Sequence, residues 1–339
     1  MTEPSRVSRD QVLAFRRRVG ALDARLPPGE ASVRRAAWAG LTDSVPRAAL
    51  LQLHARVADT SSTALDDPAL VQVWGPRFST YVVPAQDRPV FTLGRALADD
   101  SRRRFAADLA ERLDVLLDGR ELPIGEAGRA LGEHPNQLRY AATTGRVLIR
   151  WDGARQPTVR TVPAPDVDAV GARLELARRY LRVLGPGTAE GFGAWAGLRP
   201  RSAGPAFEAL LPELVAVRTD VGDAWVLADD GADLHQPPRP TSSIRLLPSG
   251  DTFTLFHGTD RGLVVPDAAR RAELWTTRVW PGAVLVGGEV VGTWRRADEK
   301  VTVRLWRPLP SAEREAVERE ATSMPLPGLR APVSVRWEG

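Results

Sequence analysis

Apolar residues recur at helical spacing from the start of the chain. In "SRDQVLAFRRRVGAL", Ser8 and Gln11 stand at capping-box spacing before such a run, which predicts a helix from Arg9 onward. "LPPGEA" breaks it, "ASVRRAAWAGL" predicts a second helix and "PRAALLQLHARV" a third. The period then changes. "PALVQVWGPRFSTYVV" is a β-branched and aromatic run split by Gly75-Pro76, the signal of a strand pair. The same order returns. "SRRRFAADLAERLDVLLDG" is long and helical, "PIGEAGRALG" is short with Gly132 as its C-terminal cap, and "HPNQLRYAATTG" carries Pro135 in its first turn. "RVLIRWDGARQPTVRTV" then reads strand, Asp-Gly turn, strand. A third round follows in "DVDAVGARLELARRYLRVLG", "TAEGFGAWAGL", "SAGPAFEALLPEL" and the hairpin "VAVRTDVGDAWVLA".

Three helices followed by a β-ribbon is the layout of the winged helix, a variant of the helix-turn-helix. An α+β chain of three tandem winged-helix units is therefore expected, over residues 1–97, 98–164 and 165–232. Residues 233–339 complete the chain. "DDGADLHQPPRPTSS" reads as a Pro/Asp-rich linker. The short runs "SIRLL", "DTFTLFHG", "RGLVV", "GAVLVGG", "EVVGTW", "KVTVRLW" and "APVSVRW" predict a small C-terminal antiparallel β-barrel. "SAEREAVEREATSM" adds a terminal helix.

Composition narrows the function classes. There is no cysteine, which excludes disulfides and thiolate metal sites, and the four histidines are scattered without metal-ligand spacing. No cofactor is expected: a Walker loop and a GxSxG elbow are both missing, and "GPGTAEGFG" lacks the preceding strand that a phosphate loop needs. The N-terminus has no apolar signal core and no run reaches the length of a membrane span, so a cytoplasmic, nucleoid-associated protein is expected.

Net charge is only +4, yet Lys300 is the sole lysine among 46 basic residues. Guanidinium binds phosphate bidentately, although a high-GC genome also favours arginine. Position along the chain is more informative. Residues 1–60 hold ten arginines against six acids. From Asn136 to Arg160, Arg139, Arg146, Arg150, Arg155 and Arg160 face only Asp152. Polar residues on a recognition helix (Asn136, Gln137, Arg139) and arginines on a wing point to double-stranded DNA. Arg47, His54 and Arg56 on the third helix join Arg146, Arg150 and Arg155 as candidate DNA contacts.

"GLTDSVPRAALLQLHARV" carries the candidate chemistry. Asp43 or Ser44 can cap the helix, with Pro46 in its first turn. A helix N-terminus also keeps a carboxylate ionised, which suits Asp43 for stabilising a cation or deprotonating water.

Together with "QVLAFRRR", "HPNQLRYAATTGRVLIRWDG", "LARRYLRVLGPGTAEGFGAWAGL" and "VLVGGEVVGTWRR", that stretch resembles the winged-helix DNA glycosylases of the AlkZ/AlkX (YcaQ-like) family, in order and over nearly the whole chain. The resemblance implies three winged helices and a β-barrel around duplex DNA. It also implies excision of N7- or N3-alkylated purines or unhooking of interstrand crosslinks, in some members as self-resistance to alkylating antibiotics. The family motif, Gln-x-Gln or Gln-x-Asp before the "PRAALL" helix, is replaced here by Thr42-Asp43-Ser44. Asp43 is then the expected base, with Thr42 and Ser44 orienting the water. A non-catalytic DNA- or lesion-binding protein or regulator on the same scaffold stays open at this point.

Overall fold

The structure is a computed structural model describing residues 3–153 and 155–338. Its first helix, Arg9–Val19, starts where the capping box places it. Ser8 Oγ accepts the Gln11 N–H at 3.2 Å and Gln11 Oε1 accepts the Ser8 N–H at 2.9 Å. Helices Glu30–Ala36 and Ala48–Arg56 follow, then antiparallel strands Leu70–Trp74 and Thr80–Pro84. The second round comprises helices Asp100–Leu117 and Ile124–Leu131, helix Leu138–Ala141 between two 3₁₀ turns, and strands Val147–Arg150 and Thr158–Thr161. The third comprises helices Ala169–Leu184, Ala189–Ala196 and Pro200–Leu210, with strands Leu214–Thr219 and Gly222–Leu227. Gly132 ends its helix in the left-handed conformation at φ +69°, which a Cβ would strain.

The hairpins do not stand alone. The first two merge into one six-stranded sheet, joined where Gln72 pairs with Ile149. Leu41–Thr42 and Leu122–Pro123 are its edge strands. The third hairpin takes Ser5–Arg6 as a parallel partner, so the N-terminus is anchored more than 200 residues downstream of itself.

Two expectations for the C-terminal part do not hold. The presumed linker contains a helix, Ala228–Leu234, whose first turn holds Asp229 and Asp230, where the helix dipole favours anions. The expected barrel is an open five-stranded sheet, ordered Ile244–Leu247, Gly282–Val286, Glu289–Ala297, Lys300–Leu305, Ser334–Glu338. "DTFTLFHG" forms turns and "RGLVV" a short helix, Arg261–Val264. The sheet needs no closure because helix Ser311–Thr322 covers it, packing Val317 and Ala321 on Val284, Val301 and Val303. No described helix is long and apolar enough to cross a membrane.

Helix Ala48–Arg56 sits between two cores. Leu51 enters the C-terminal core, while Ala49 and Leu53 pack with Leu41 and Val82 of the first sheet. Arg56 closes the joint. Its guanidinium makes two 2.7 Å bonds to Asp251, and the two side chains are 2% and 0% exposed. Further bonds run to Thr252 Oγ1 at 3.0 Å and Gln52 C=O at 3.0 Å. Removing one partner of a buried pair strands the other charge, a cost of about 3–5 kcal/mol. Arg56→Met is therefore expected to lower the stability to urea denaturation by about that amount, and Arg56→Met with Asp251→Leu to recover most of it. A single substitution that costs nothing would contradict this account of the joint.

Candidate active site

Leu41 and Thr42 add a two-residue strand to the edge at Thr80–Pro84, and the Asp43 N–H extends the ladder to Thr80 C=O at 2.8 Å. The chain then leaves the sheet through Ser44, Val45, Pro46 and Arg47. Helix starts only at Ala48, after Arg47 in a left-handed conformation at φ 68°. Pro46 thus lies ahead of the helix rather than in its first turn, and Arg47 supplies no capping side chain. Asp43 fills that gap from further back: its Oδ1 accepts the Ala49 N–H at 3.1 Å.

The second carboxylate oxygen, Oδ2, accepts from Gln72 Nε2 at 2.9 Å. Asp43 is only 4% exposed, and its side chain lies at the wall of a cleft of about 730 Å³ between the first two hairpins. Burial is the dominant influence and lifts its pKa to about 7, against the Ala49 N–H, the Arg47 charge and the Gln72 amide, which all favour the anion. Arg47, Arg150 and Arg160 line the same cleft, but so do Asp66, Asp67, Glu121 and Asp152. Its charge is mixed, not uniformly basic.

Thr42 and Ser44 flank Asp43 in sequence without joining it in the cleft. Successive strand residues face opposite ways, so Thr42 turns from the cleft. Its Oγ1 donates to Gly250 C=O at 2.8 Å and accepts from Gln52 Nε2 at 3.0 Å. Gln52, fully buried, also donates to Thr42 C=O at 2.7 Å. Thr42 therefore fastens the loop to the C-terminal part. Ser44 is exposed on the turn.

The candidate DNA contacts divide. Arg56 is locked on Asp251 and presents nothing to solvent. His54 lies between Arg25 and Ser323, at 3.3 Å and 3.1 Å. Burial and the charges of Arg25 and Arg245 bring its pKa down to about 4, so at pH 7 it offers no positive charge to a phosphate. Arg146 is bonded to Glu111 and to Asp114, the latter at 3.0 Å. Arg47 is half-buried at the cleft beside Asp43, Arg150 is exposed at the same cleft, and Arg155 is exposed on the hairpin turn. Asn136 and Gln137 are exposed, with Gln137 Oε1 holding the His134 N–H at 3.2 Å, and Arg139 is half-buried. Among the ten arginines of residues 1–60, Arg16 is buried, donating to Gly185 and Leu184 carbonyls at 2.9 and 2.8 Å.

Sequence reasoning missed Gln72 and Gln52. The available signal for Gln72 was one amide inside the apolar strand "LVQVW". Gln52 sits one turn before Arg56 on an otherwise apolar helix face.

Comparison with known proteins gives this geometry a setting. Over 170 residues the chain is 32% identical to an interstrand DNA cross-link repair glycosylase of Streptomyces sahachiroi, covering 47% of this chain and 43% of that relative. The aligned part is thus less than half of the relative's length. The solved structure of Streptomyces sahachiroi DNA glycosylase AlkZ is similar with a TM-score of 0.76 at 20% identity, over 98% of this chain and 100% of that one, which shows a shared fold. Residues 17–325 match the family model described as DNA glycosylase AlkZ-like, and with nearly the whole chain covered, this protein belongs to the AlkZ-like DNA glycosylase family.

Proposed function

We propose that this chain hydrolyses the N-glycosidic bond of N7- or N3-alkylated purines in duplex DNA, including purines held in an interstrand crosslink. The observation that carries this reading is Asp43: a carboxylate at a cleft wall, aimed by two N–H donors and balanced near neutrality. A base with a pKa close to the working pH both accepts a proton readily and is largely ionised when needed.

The chemistry follows from the substrate. An alkylated purine carries positive charge, so its glycosidic electron pair leaves onto the base and neutralises it. The sugar becomes cation-like in the transition state, the problem that glycoside hydrolases also solve with carboxylates. Asp43 offsets that charge and takes the proton of the water whose oxygen bonds to C1′. No general acid is required, because the leaving base departs neutral.

The three helix-and-hairpin rounds are read as winged helices, with units 1–97, 98–164 and 165–232 and the remainder at 233–339. Arg47, Arg150 and Arg155 are the proposed phosphate contacts, and Asn136, Gln137 and Arg139 the proposed face toward the duplex. Thr42 acts by anchoring the motif loop, and Ser44 lies at its exposed turn.

Base release from N7-alkylated duplex DNA is expected to rise with pH through about 7 and then level off, since protonation below that value removes the base. Asp43→Asn should reduce the rate by about 100-fold or more and abolish that rising limb. A variant as fast as the parent protein removes Asp43 from the reaction. Salt-dependent DNA binding without any release by the parent protein would instead leave a lesion-binding protein. In a binding titration over salt, Arg150→Ala is expected to lower the slope of log affinity against log salt by about one, while Arg56→Lys, if folded, leaves it unchanged.

A further inference from the structure

Gln72 has a set of partners that neither a strand residue nor a surface amide needs. Its Oε1 accepts the Trp151 N–H at 2.6 Å, and its Nε2 donates to Trp151 C=O at 3.1 Å. The side chain thereby imitates one rung of a β-ladder to the second hairpin. The same Nε2 donates to Asp43 Oδ2 at 2.9 Å. This network leaves the amide one orientation. Reversed, it would set its NH₂ against the Trp151 N–H and its oxygen against both the Trp151 carbonyl and the Asp43 carboxylate.

The turn that Gln72 grips lies on the motif loop. Gly153, at φ +86°, has no room for a side chain, because a Cβ there would stand 2.5 Å from Pro46 Cβ. Trp151 Nε1 donates to Arg155 C=O at 2.8 Å. The motif loop and residues 151–153 are thus adjacent, and Gln72 bonds to Asp43 on one and Trp151 on the other.

We infer that Gln72 is a positioning residue for the reaction at Asp43, fixing the direction of its carboxylate and coupling it to the seating of Trp151 on the second hairpin. This inference deepens the proposed glycosylase site and rests on that reading. The amide offers Asp43 only a donor, so it supports the anion. Without it the carboxylate would keep the backbone N–H groups of Ala48 and Ala49 and the Arg47 charge, in the same buried place. The charged groups lining the cleft with Asp43 are Arg47 on its own loop, Asp66 and Asp67 before the first hairpin, Glu121, and Arg150, Asp152 and Arg160 on the second hairpin, of which Arg47 acts on its charge. A substitution at Gln72 changes the charge of none of these groups. A displacement of Trp151 would move the Gln72 amide, and through it the base.

The test uses the full chain with ¹³C-labelled aspartate, following the Asp43 carboxyl by NMR against pH, with Asp43→Asn to assign it. Gln72→Met keeps the length and volume but removes all three bonds. The Asp43 midpoint is expected to move up by about one pH unit, and the rising limb of base release to move with it. At pH 7 the release rate at saturating duplex should then fall by about fivefold. Amide exchange at Trp151 should accelerate in the same variant. Gln72→Glu, which can still hold the Trp151 N–H, should move the midpoint up further by like charge, and it serves if Gln72→Met fails to fold. An Asp43 midpoint unmoved in a folded Gln72 variant overturns the inference. If the parent protein releases no base, the glycosylase reading falls, while the titration still decides whether Gln72 directs Asp43.

Discussion

The Arg56–Asp251 pair is the joint on which the site depends. It ties the end of the helix that follows the motif loop to the turn at the start of the C-terminal sheet region. One residue from Asp251, Gly250 offers its carbonyl to Thr42, and one turn from Arg56, Gln52 holds Thr42 from the other side. The loop carrying Asp43 is thus fastened at its base to chain some 200 residues away. An ion pair so fully buried earns little net stability, but losing half of it is costly. Its value is the geometry it enforces.

The arginine bias has a physical outlet in this pattern. Arg9 grips Glu289 through two nitrogens, Arg25 grips Glu320, and Arg179 bonds Asp87 while lying over Trp38. Arg16 and Arg95 end on backbone carbonyls, over Phe256 and Phe78. The planar fork of guanidinium suits such long-range crosslinks, where a lysine would offer one point charge. A high count of arginines in the first sixty residues therefore measures internal joints as much as any surface for DNA. Arg150 and Arg155, on the second hairpin, are among the arginines open to solvent.

What was legible in the sequence follows the range of the interactions. The Ser8–Gln11 capping box, the Gly132 cap and the hairpins are set by neighbours within a few residues, and they appear where spacing places them. Leu41–Thr42 is a strand only because Thr80–Pro84 lies beside it, and two residues carry no period. The fate of Arg56 was decided by Asp251, and that of Gln72 by Trp151, both far along the chain. "RGLVV" has a β-branched pattern, yet tertiary packing made it a helical turn, as weak propensities allow. For the site, Asp43 could be picked out from its place before a helix. Thr42 could not be sorted from it, because a one-residue offset in a strand reverses the face.

Thr42 and Ser44, which stand where the resemblance implies Gln-x-Gln or Gln-x-Asp, bring no amide to the loop. The loop nonetheless has two amides beside it, Gln52 from the following helix and Gln72 from the hairpin strand. Gln52 fixes the backbone of the loop and Gln72 addresses the carboxylate, so direction and charge are controlled from separate elements. That division bears on how a buried acid can serve beside a polyanion. Burial alone would leave Asp43 protonated, and phosphates nearby would reinforce this. The start of the helix at Ala49, the charge of Arg47 and the Gln72 amide work the other way. The balance falls at about 7, where the carboxylate gives up and accepts a proton with equal ease. A more exposed Asp43 would be a weaker base, and one stripped of Gln72 would take its proton at higher pH; in the proposed reaction, a carboxylate both buried and aimed is what the cation-like sugar requires.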